Sequence, residues 1–187
     1  MCTWPGEDKQ MQKYHDEEWG VPVLNDTVHF EYLILDAFQA GLSWKTILHR
    51  RKGFKKAFAN FNYKKVAKFT KADVKRLMKD EGIIRNKLKI EAAITNAQNF
   101  MKVQKEFGSF NRYIWQFVNY KPLVTKLKFA YDTPVSTTES DAMSKDLKKR
   151  GFKFCGSTIC YAYMQAAGMV NDHLMSCPRY DELQAKR

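Results

Sequence analysis

The spacing of apolar residues restricts this chain to a helical fold more than any other feature of its sequence. Between positions 27 and 40, apolar side chains recur at the intervals of one helix face: Phe30, Leu33, Ile34, Ala37 and Phe38. No two strand-like segments are joined by a hairpin turn, and no internal repeat or low-complexity tract is present. With 187 residues, 44% of them hydrophobic, the chain can bury one core. The sequence therefore predicts a single all-α domain over residues 1–187.

Capping residues and glycines indicate where the helices begin and end. Gly41 ends the first long helix, and Ser43 is expected to cap a helix that starts at Trp44. A helix, a glycine turn at 81–87 and a long helix are predicted over about 71–106. The rest of the chain divides into predicted helices at 110–119, 140–150 and 158–167, and a predicted loop at 120–139.

The chain carries a large excess of positive charge. Its 32 Lys and Arg residues against 20 Asp and Glu give a net charge of +12. Such an excess suggests a polyanionic partner, with nucleic acid ahead of an anionic membrane. Gly82 lies in a turn before a helix, where backbone N–H groups can hold a phosphate. A basic surface, or simply a solvated helix face, would be formed by Lys45, His49, Arg50, Arg51, Lys52, Lys55, Lys56, Lys64, Lys65, Lys68, Lys87 and Lys89.

The start of the chain lacks the basic and apolar segments of a secretory signal, and no stretch approaches the length of a bilayer span. We therefore expect a cytoplasmic protein with no membrane partner. In that compartment its 4 cysteines are expected to be thiols or metal ligands rather than disulfides. Cys155 and Cys160 are most simply interpreted as thiols in or near the core.

Four candidate metal ligands lie at the two ends of the chain. His173 and Cys177 would point the same way from one helical turn. Cys2 and His15 match no standard local spacing, and the alternative is that they are a frayed terminal thiol and a surface histidine. If one ion binds all four, thiolates and imidazoles favour zinc, and four protein ligands leave no open position for water. Such a site would be structural and would tie the termini together.

A carboxylate and several aromatic residues suggest a binding pocket. Asp36 lies near the end of a mostly apolar helix and Trp44 opens the next, with Tyr14 and Trp19 as further members of the group. A carboxylate about 4 Å from a cation gains roughly 4 kcal/mol at an effective dielectric of about 20, against about 0.5–2 kcal/mol for an aromatic face. The acid would select charge and the rings would supply shape. Alternatively, Asp36 faces solvent and the tryptophans belong to the core.

The sequence lacks the G-x-S-x-G and Walker A motifs of other enzyme classes, but it contains an ordered series of other phrases. These are C-T-W at 2–4, Y-H-D-E-E-W-G-V-P at 14–22, Q-A-G-L-S-W at 39–44, G-I-I-R-N-K at 82–87, W-Q-F-V-N at 115–119 and S-K-D-L-K-K-R-G-F-K-F-C-G-S-T-I-C-Y at 144–161. Together they resemble the DNA-3-methyladenine glycosylase I family of bacteria. The resemblance extends from Cys2 to about Cys177.

The resemblance implies a helix-hairpin-helix DNA glycosylase fold with its termini tied by one structural zinc ion per chain. The ligands would be Cys2, His15, His173 and Cys177, in terminal segments at about 1–20 and 168–180. The implied activity is hydrolysis of the N-glycosidic bond of 3-methyladenine in double-stranded DNA, which leaves an abasic site for base excision repair. A monomer is expected.

The resemblance also implies roles for individual residues. The lesion would be flipped into a pocket where Asp36 recognises the base and takes the catalytic role. The other residues expected to bind the base are Tyr14, Trp44, Trp4 and Gln39. The residues expected to contact DNA are Gly41 and Leu42, next to the gap left in the duplex, and Gly82, Arg85 and Lys87 of the hairpin.

Three positions depart from the family pattern. Asp36 stands where most members carry glutamate, Ala37 where they carry glycine, and Met11 where they carry tyrosine. Aspartate is shorter by one methylene, so it would reach the base through a water molecule or a shifted helix. Affinity or breadth of substrate is therefore open. The alternatives are a glycosylase of altered base specificity, a catalytically weak protein that binds alkylated DNA, and a zinc-stapled RNA-binding module.

Overall fold

The computed structural model describes residues 1–185 and is mostly helical, as predicted. The α-helices are α1 (Lys9–Glu17), α2 (Asp26–Gln39), α3 (Trp44–His49), α4 (Arg51–Ala57), α5 (Tyr63–Val66), α6 (Lys71–Leu77), α7 (Lys87–Phe107), α8 (Phe110–Trp115), α9 (Thr138–Lys149), α10 (Ser157–Ala166) and α11 (Pro178–Ala185). Short 3-10 turns lie at Ala59–Phe61, Gln116–Val118 and Ala130–Asp132. No helix in the described part of the chain is both long and apolar enough to cross a membrane.

Local capping explains the ends of the helices that carry the predicted pocket. The Asn25 side chain accepts hydrogen bonds from the first turn of α2. After α2, Gly41 takes a φ of +78°, a conformation that glycine adopts without steric cost. Ser43 then caps α3 by accepting from the Thr46 amide. These ends agree with the predicted ones to within one or two residues, and they turn the chain sharply between Asp36 and Trp44.

Helices α6 and α7 form the predicted hairpin. Thr70 and Asp73 make a reciprocal capping box at the start of α6, and Asn86 caps α7 by accepting from the Lys89 amide. The turn between them packs closely on α4: a Cβ atom on Gly53 would lie 2.2 Å from the carbonyl oxygen of Gly82. A side chain at Gly53 would therefore force the hairpin away from α4.

The predicted loop at 120–139 contains an element that the sequence did not reveal. Within it, β1 (Leu123–Val124) pairs in parallel with β2 (Val170–Asn171). Each strand is 2 residues long, too short to produce an alternating pattern. The pairing fixes the loop against the segment that leads to His173.

The core is centred on α2, which packs against α3, α7, α8 and α10. Phe30, Ile34 and Phe38 on this helix are 0% exposed, and the Phe30 ring meets Phe100 of α7 edge to face at 5.3 Å. Burying each such side chain contributes about 1.5–3 kcal/mol. Asp36 lies on the same helix, so its carboxyl group is held inside the protein by its neighbours.

Candidate base-binding cavity and metal site

A cavity of about 280 Å³ opens between the helices at the point where α1, α2, α3 and α10 meet. It brings together five residues that the sequence analysis had assigned to base binding: Trp4, Tyr14, Asp36, Gln39 and Trp44. The other lining residues are Cys2, Thr3, Trp19, Ala130, Thr133, Ala162, Gln165, Ala166, Asp172 and Leu174. The alternative that Asp36 faces solvent is wrong, since it is only 2% exposed.

Aromatic rings form the walls of this cavity. The Tyr14 and Trp44 rings are tilted at 46° with centroids 5.1 Å apart. Trp4 meets Trp19 edge to face, also at 5.1 Å. Rings at such angles expose flat apolar faces to the space between them. A planar heterocycle can stack on such faces. The cavity therefore suits a flat aromatic ligand.

Two polar atoms of the cavity have no hydrogen-bond partner. Within residues 1–185, only three buried side-chain nitrogen or oxygen atoms lack one, and these include Asp36 Oδ2 and Trp44 Nε1. An unsatisfied buried donor or acceptor costs about 1–3 kcal/mol, so such atoms are rare in folded proteins and often belong to functional sites. An acceptor and a donor without partners in one cavity indicate that a polar ligand completes it.

The environment of Asp36 also shifts its ionisation. Burial raises the pKa of the Asp36 carboxyl well above its ordinary value, because the charged form loses its hydration and no cation compensates for this. A cationic ligand would supply that compensation. A neutral ring would leave the carboxyl group without it.

Asp172 is a lining residue that the sequence analysis missed. Its carboxylate accepts hydrogen bonds from Tyr161 (2.6 Å), Gln165 (2.7 Å) and the Thr125 hydroxyl (2.7 Å). Three donors satisfy this carboxylate, so its role in the free protein is to fix the cavity wall. In the sequence, only its position directly before His173 indicates that it could belong to a functional site.

The four predicted metal ligands converge beside the cavity. The ligand atoms of Cys2, His15, His173 and Cys177 lie within 4.8 Å of one another. Cys177 Sγ is 3.7 Å from both His15 Nε2 and His173 Nδ1, and Cys2 Sγ is 3.9 Å from His173 Nδ1. Zinc bonds of about 2.3 Å to sulfur and about 2.0–2.1 Å to nitrogen give a tetrahedral sulfur-to-nitrogen edge of about 3.6 Å. These residues can therefore hold one metal ion.

Outer hydrogen bonds orient both imidazole rings of this cluster. His15 Nδ1 lies 2.7 Å from an Asp16 carboxylate oxygen, which leaves Nε2 as the ligand atom. His173 Nε2 lies 3.1 Å from the Trp19 carbonyl oxygen, which leaves Nδ1. Such partners fix the tautomer of a metal-binding histidine. Trp19 lines the cavity as well, so a hydrogen bond joins one of the candidate metal ligands to the aromatic wall.

Most of the residues predicted to contact DNA lie at the surface. Gly41 and Leu42 are exposed, and a Cβ on Gly41 would meet nothing within 4 Å. In the hairpin, Arg85 and Lys87 are exposed, while Gly82 is partly buried against α4. These residues are accessible at least in part, and their contact with DNA stays a prediction.

The predicted basic surface needs correction at five positions. Lys89 is buried, because its ammonium donates to the carbonyl oxygens of Phe38 (2.8 Å) and Ala40 (2.6 Å) at the end of α2. The other four side chains pair with acids: Lys45 and His49 with Asp8, Arg51 with Glu18 and Glu31, and Lys87 with Glu91. Lysines on α4 and α5, including Lys52, Lys55, Lys64 and Lys65, remain exposed.

Comparison with solved structures defines the class of protein. A crystal structure of a 3-methyladenine DNA glycosylase I superposes with a TM-score of 0.92 at 43% identity, covering 95% of this chain and 97% of that one. The glycosylase I from Staphylococcus aureus, solved to explain 3-methyladenine recognition, gives a TM-score of 0.92 at 36% identity over 95% of this chain and 94% of that chain. The fold is therefore that of a DNA glycosylase.

Sequence comparison then defines the family. The methyladenine glycosylase family matches residues 4–180. DNA-3-methyladenine glycosylase 1 of Escherichia coli is 46% identical over 179 residues, which is 96% of each chain, and the Haemophilus influenzae enzyme is 44% identical over 177 residues. The chain belongs to the methyladenine glycosylase family, whose members hydrolyse N-glycosyl bonds. The resemblance found in the sequence is confirmed.

Proposed function

We propose that this enzyme flips 3-methyladenine out of double-stranded DNA into the cavity and hydrolyses its N-glycosidic bond. The observation that carries the assignment to this cavity is the pair of buried atoms without partners, Asp36 Oδ2 and Trp44 Nε1, in an aromatic site of suitable shape. The names of the relatives provide the reaction class. An abasic site remains in the DNA for later repair.

Charge distinguishes the lesion from normal adenine. Methylation at N3 makes the attached base cationic, whereas adenine in DNA is neutral. A cation about 4 Å from Asp36 would favour ionised carboxylate by roughly 4 kcal/mol at an effective dielectric of about 20. Rings such as Tyr14 and Trp44 would add about 0.5–2 kcal/mol. Neutral adenine would gain only the stacking, and would leave Asp36 without a charge partner.

The same charge reduces the chemical work of the enzyme. When the bond between C1′ and N9 breaks, the electron pair leaves with the base, and cationic 3-methyladenine departs as a neutral molecule without being protonated. Water adds to C1′ and releases one proton to solvent. The main costs are extraction of the base, a few kcal/mol and less for a damaged one, and its discrimination. Asp36 is proposed to assist both extraction and discrimination, because its carboxylate would pair with the cationic base until the glycosidic bond breaks.

We assign DNA binding to the turn between α2 and α3 and to the hairpin. Gly41 and Leu42 would occupy the gap in the duplex, while Gly82, Arg85 and Lys87 would hold the backbone at the start of α7. The exposed, unobstructed side of Gly41 supports this, since a close approach of DNA needs a residue without a side chain. The +12 net charge supports a polyanionic substrate.

We further propose that Cys2, His15, His173 and Cys177 hold one structural zinc ion. The sulfur and imidazole donors and their 3.7–3.9 Å separations fit tetrahedral coordination. With four protein ligands the ion would keep no open position, so it would tie the ends of the chain together and take no part in hydrolysis. A cytoplasmic monomer remains our expectation from the sequence.

The test is release of bases from methylated duplex DNA. Wild type is expected to release 3-methyladenine, and Asp36→Asn is expected to lose release at least tenfold more than it loses binding to undamaged duplex, because it removes the charge and keeps the shape. Asp36→Glu, which restores the charge with one more methylene, is the matched control and should retain activity. Equal losses of release and binding in Asp36→Asn would refute a recognition role for Asp36.

The released bases also separate the alternatives. Release of 3-methyladenine alone supports the proposal. Additional 7-methylguanine would indicate a broadened specificity, and binding without release would indicate a damage-binding protein. If Asp36→Glu then releases only 3-methyladenine, the broadened base specificity of wild type is caused by its shorter side chain.

A further inference from the structure

A pair of exposed, stacked aromatic rings stands on the rim of the cavity. Phe129 and Tyr131 are 53% and 81% exposed, and their rings lie parallel to within 10° with centroids 5.1 Å apart. It is the only stacked or tilted ring pair within residues 1–185 in which both partners are exposed. Ala130 between them, and Thr133 after them, line the cavity itself. The pair therefore lies on a segment that also forms part of the cavity wall, and both of its rings are open to solvent.

This rim segment is held in place from below. Leu127 is buried in a small cluster with Leu174 and two of the candidate metal ligands, Cys2 and Cys177, and its carbonyl oxygen accepts from the Met175 amide at 2.9 Å. The segment at 129–132 closes on itself, because the Asp132 carboxylate accepts from the Phe129 amide at 3.0 Å. Exposed rings on an anchored turn are preorganised, so little order has to be gained when they bind.

Two lysines flank the rings. Lys126 and Lys128 are exposed, and neither lies within 4.0 Å of an acid in the described chain. Aromatic rings with interleaved basic residues are the combination that binds nucleic-acid strands, since bases stack on the rings and phosphates pair with the cations. The catalytic proposal uses none of these four residues.

We propose that Lys126, Lys128, Phe129 and Tyr131 form a second DNA contact, which binds the lesion-bearing strand beside the flipped nucleotide. A neighbouring base, exposed once the duplex opens, stacks on the ring pair, and the adjoining phosphates pair with the lysines. The same segment contributes Ala130 and Thr133 to the cavity, so the strand is held next to the nucleotide that enters. This inference rests on the proposed function, because it takes its substrate from that cavity.

The test is single-turnover base release from a methylated duplex at increasing enzyme concentration. In Phe129→Ala/Tyr131→Ala, the enzyme concentration for half-maximal rate should rise about fivefold or more, the lower end of one base–aromatic stack. The maximal rate should stay within twofold, because the cavity is intact. The exchange Phe129→Tyr/Tyr131→Phe keeps both rings and should restore the wild-type value. Tyr120→Ala removes a 60% exposed ring outside the cavity and is the matched control.

The lysines are tested through salt dependence. Each phosphate contact contributes about 0.9 to the slope of log affinity against log salt. Lys126→Ala/Lys128→Ala should lower that slope by about 2, while Lys105→Ala/Lys149→Ala, at the far end of the molecule from the hairpin, should lower it less. Unchanged half-saturation in the ring variant, together with an unchanged slope in the lysine variant, would overturn the proposal.

Failure of the proposed function is distinguishable from failure of this contact. If wild type releases no base, the proposed function fails. Fluorescence anisotropy with the same duplex then measures the contact alone: a fivefold loss of affinity in the ring variant supports it, and an unchanged affinity overturns it. Thermal melting verifies that the variants are folded. If the ring variant is not folded, the salt slope of the lysine variant decides the test.

Discussion

Replacing Asp36 by asparagine should stabilise the protein at neutral pH, although it should damage function. Asp36 is buried and its Oδ2 atom has no partner, and burial raises the pKa of its carboxyl. In the unfolded chain the carboxyl ionises with a pKa of about 3.9. Between that value and the raised pKa, the folded state holds a proton that the unfolded state has released. Stability therefore falls as pH rises through this window, and asparagine removes that loss.

The magnitude follows from linkage. Each pH unit inside the window costs the wild type about 1.4 kcal/mol of stability relative to the variant. For a domain of this size, about 1 kcal/mol corresponds to a change of about 2–4 °C in melting temperature. Asparagine is close in shape to a protonated aspartic acid, so the two proteins should differ least near pH 4. The variant should then gain a few degrees for each pH unit until the raised pKa of Asp36 is passed.

Thermal unfolding followed by circular dichroism between pH 4 and pH 8 measures this difference. Wild type and variant share every other titrating group, including the four candidate metal ligands, so those contributions cancel when the two curves are subtracted. Asp172→Asn is the matched control. It weakens a carboxylate that accepts three hydrogen bonds, so it should destabilise the protein, where Asp36→Asn should stabilise it.

One result would refute the reasoning. Asp36→Asn could melt below wild type at pH 7, by an amount that does not change with pH. In that case the pKa of the Asp36 carboxyl is not raised in the folded protein. Higher stability with lost base release would instead show that the free enzyme retains a destabilising group because the substrate requires it.

Three other perturbations have expected outcomes. Lys89→Met should cost about 1.5–3 kcal/mol in urea unfolding, because two carbonyl oxygens at the end of α2 lose a charged donor. Gly41→Ala should cost only about 1–2 kcal/mol through its positive φ of +78°, since no atom crowds it, but should weaken DNA binding in titrations far more; equal effects would contradict its assigned place at the duplex. Elemental analysis should find one zinc per chain in wild type and much less in Cys2→Ala, whose melting temperature a chelator should no longer lower.

The sequence was sufficient for most of the helices and their ends. Caps such as Asn86 and Ser43 and the break at Gly41 act on their nearest neighbours, so local residues decide them. The two short strands were missed because a pairing of two residues depends on contacts between positions about 47 residues apart. The family phrases also predicted which residues line the cavity and which four ligand side chains lie together.

Other features depended on packing that no local pattern contains. Lys89 reads as a surface lysine by composition, yet it is buried because α7 crosses the end of α2. Asp172, Ala130 and Thr133 line the same cavity, because the pairing of β1 with β2 holds the loop beside the segment that contains Asp172. Side chains distant in sequence share a site through tertiary contacts, which the order of residues does not state.

The sequence by itself determined the chemical groups: a carboxylate, tryptophans, two thiols with two imidazoles, and a basic surface. Only the tertiary structure decided the state of those groups. Asp36 has a raised pKa and no partner because four helices exclude water from it. Ionisation and hydrogen-bonding demand depend on the surroundings of an atom, and those surroundings exist only in the folded protein.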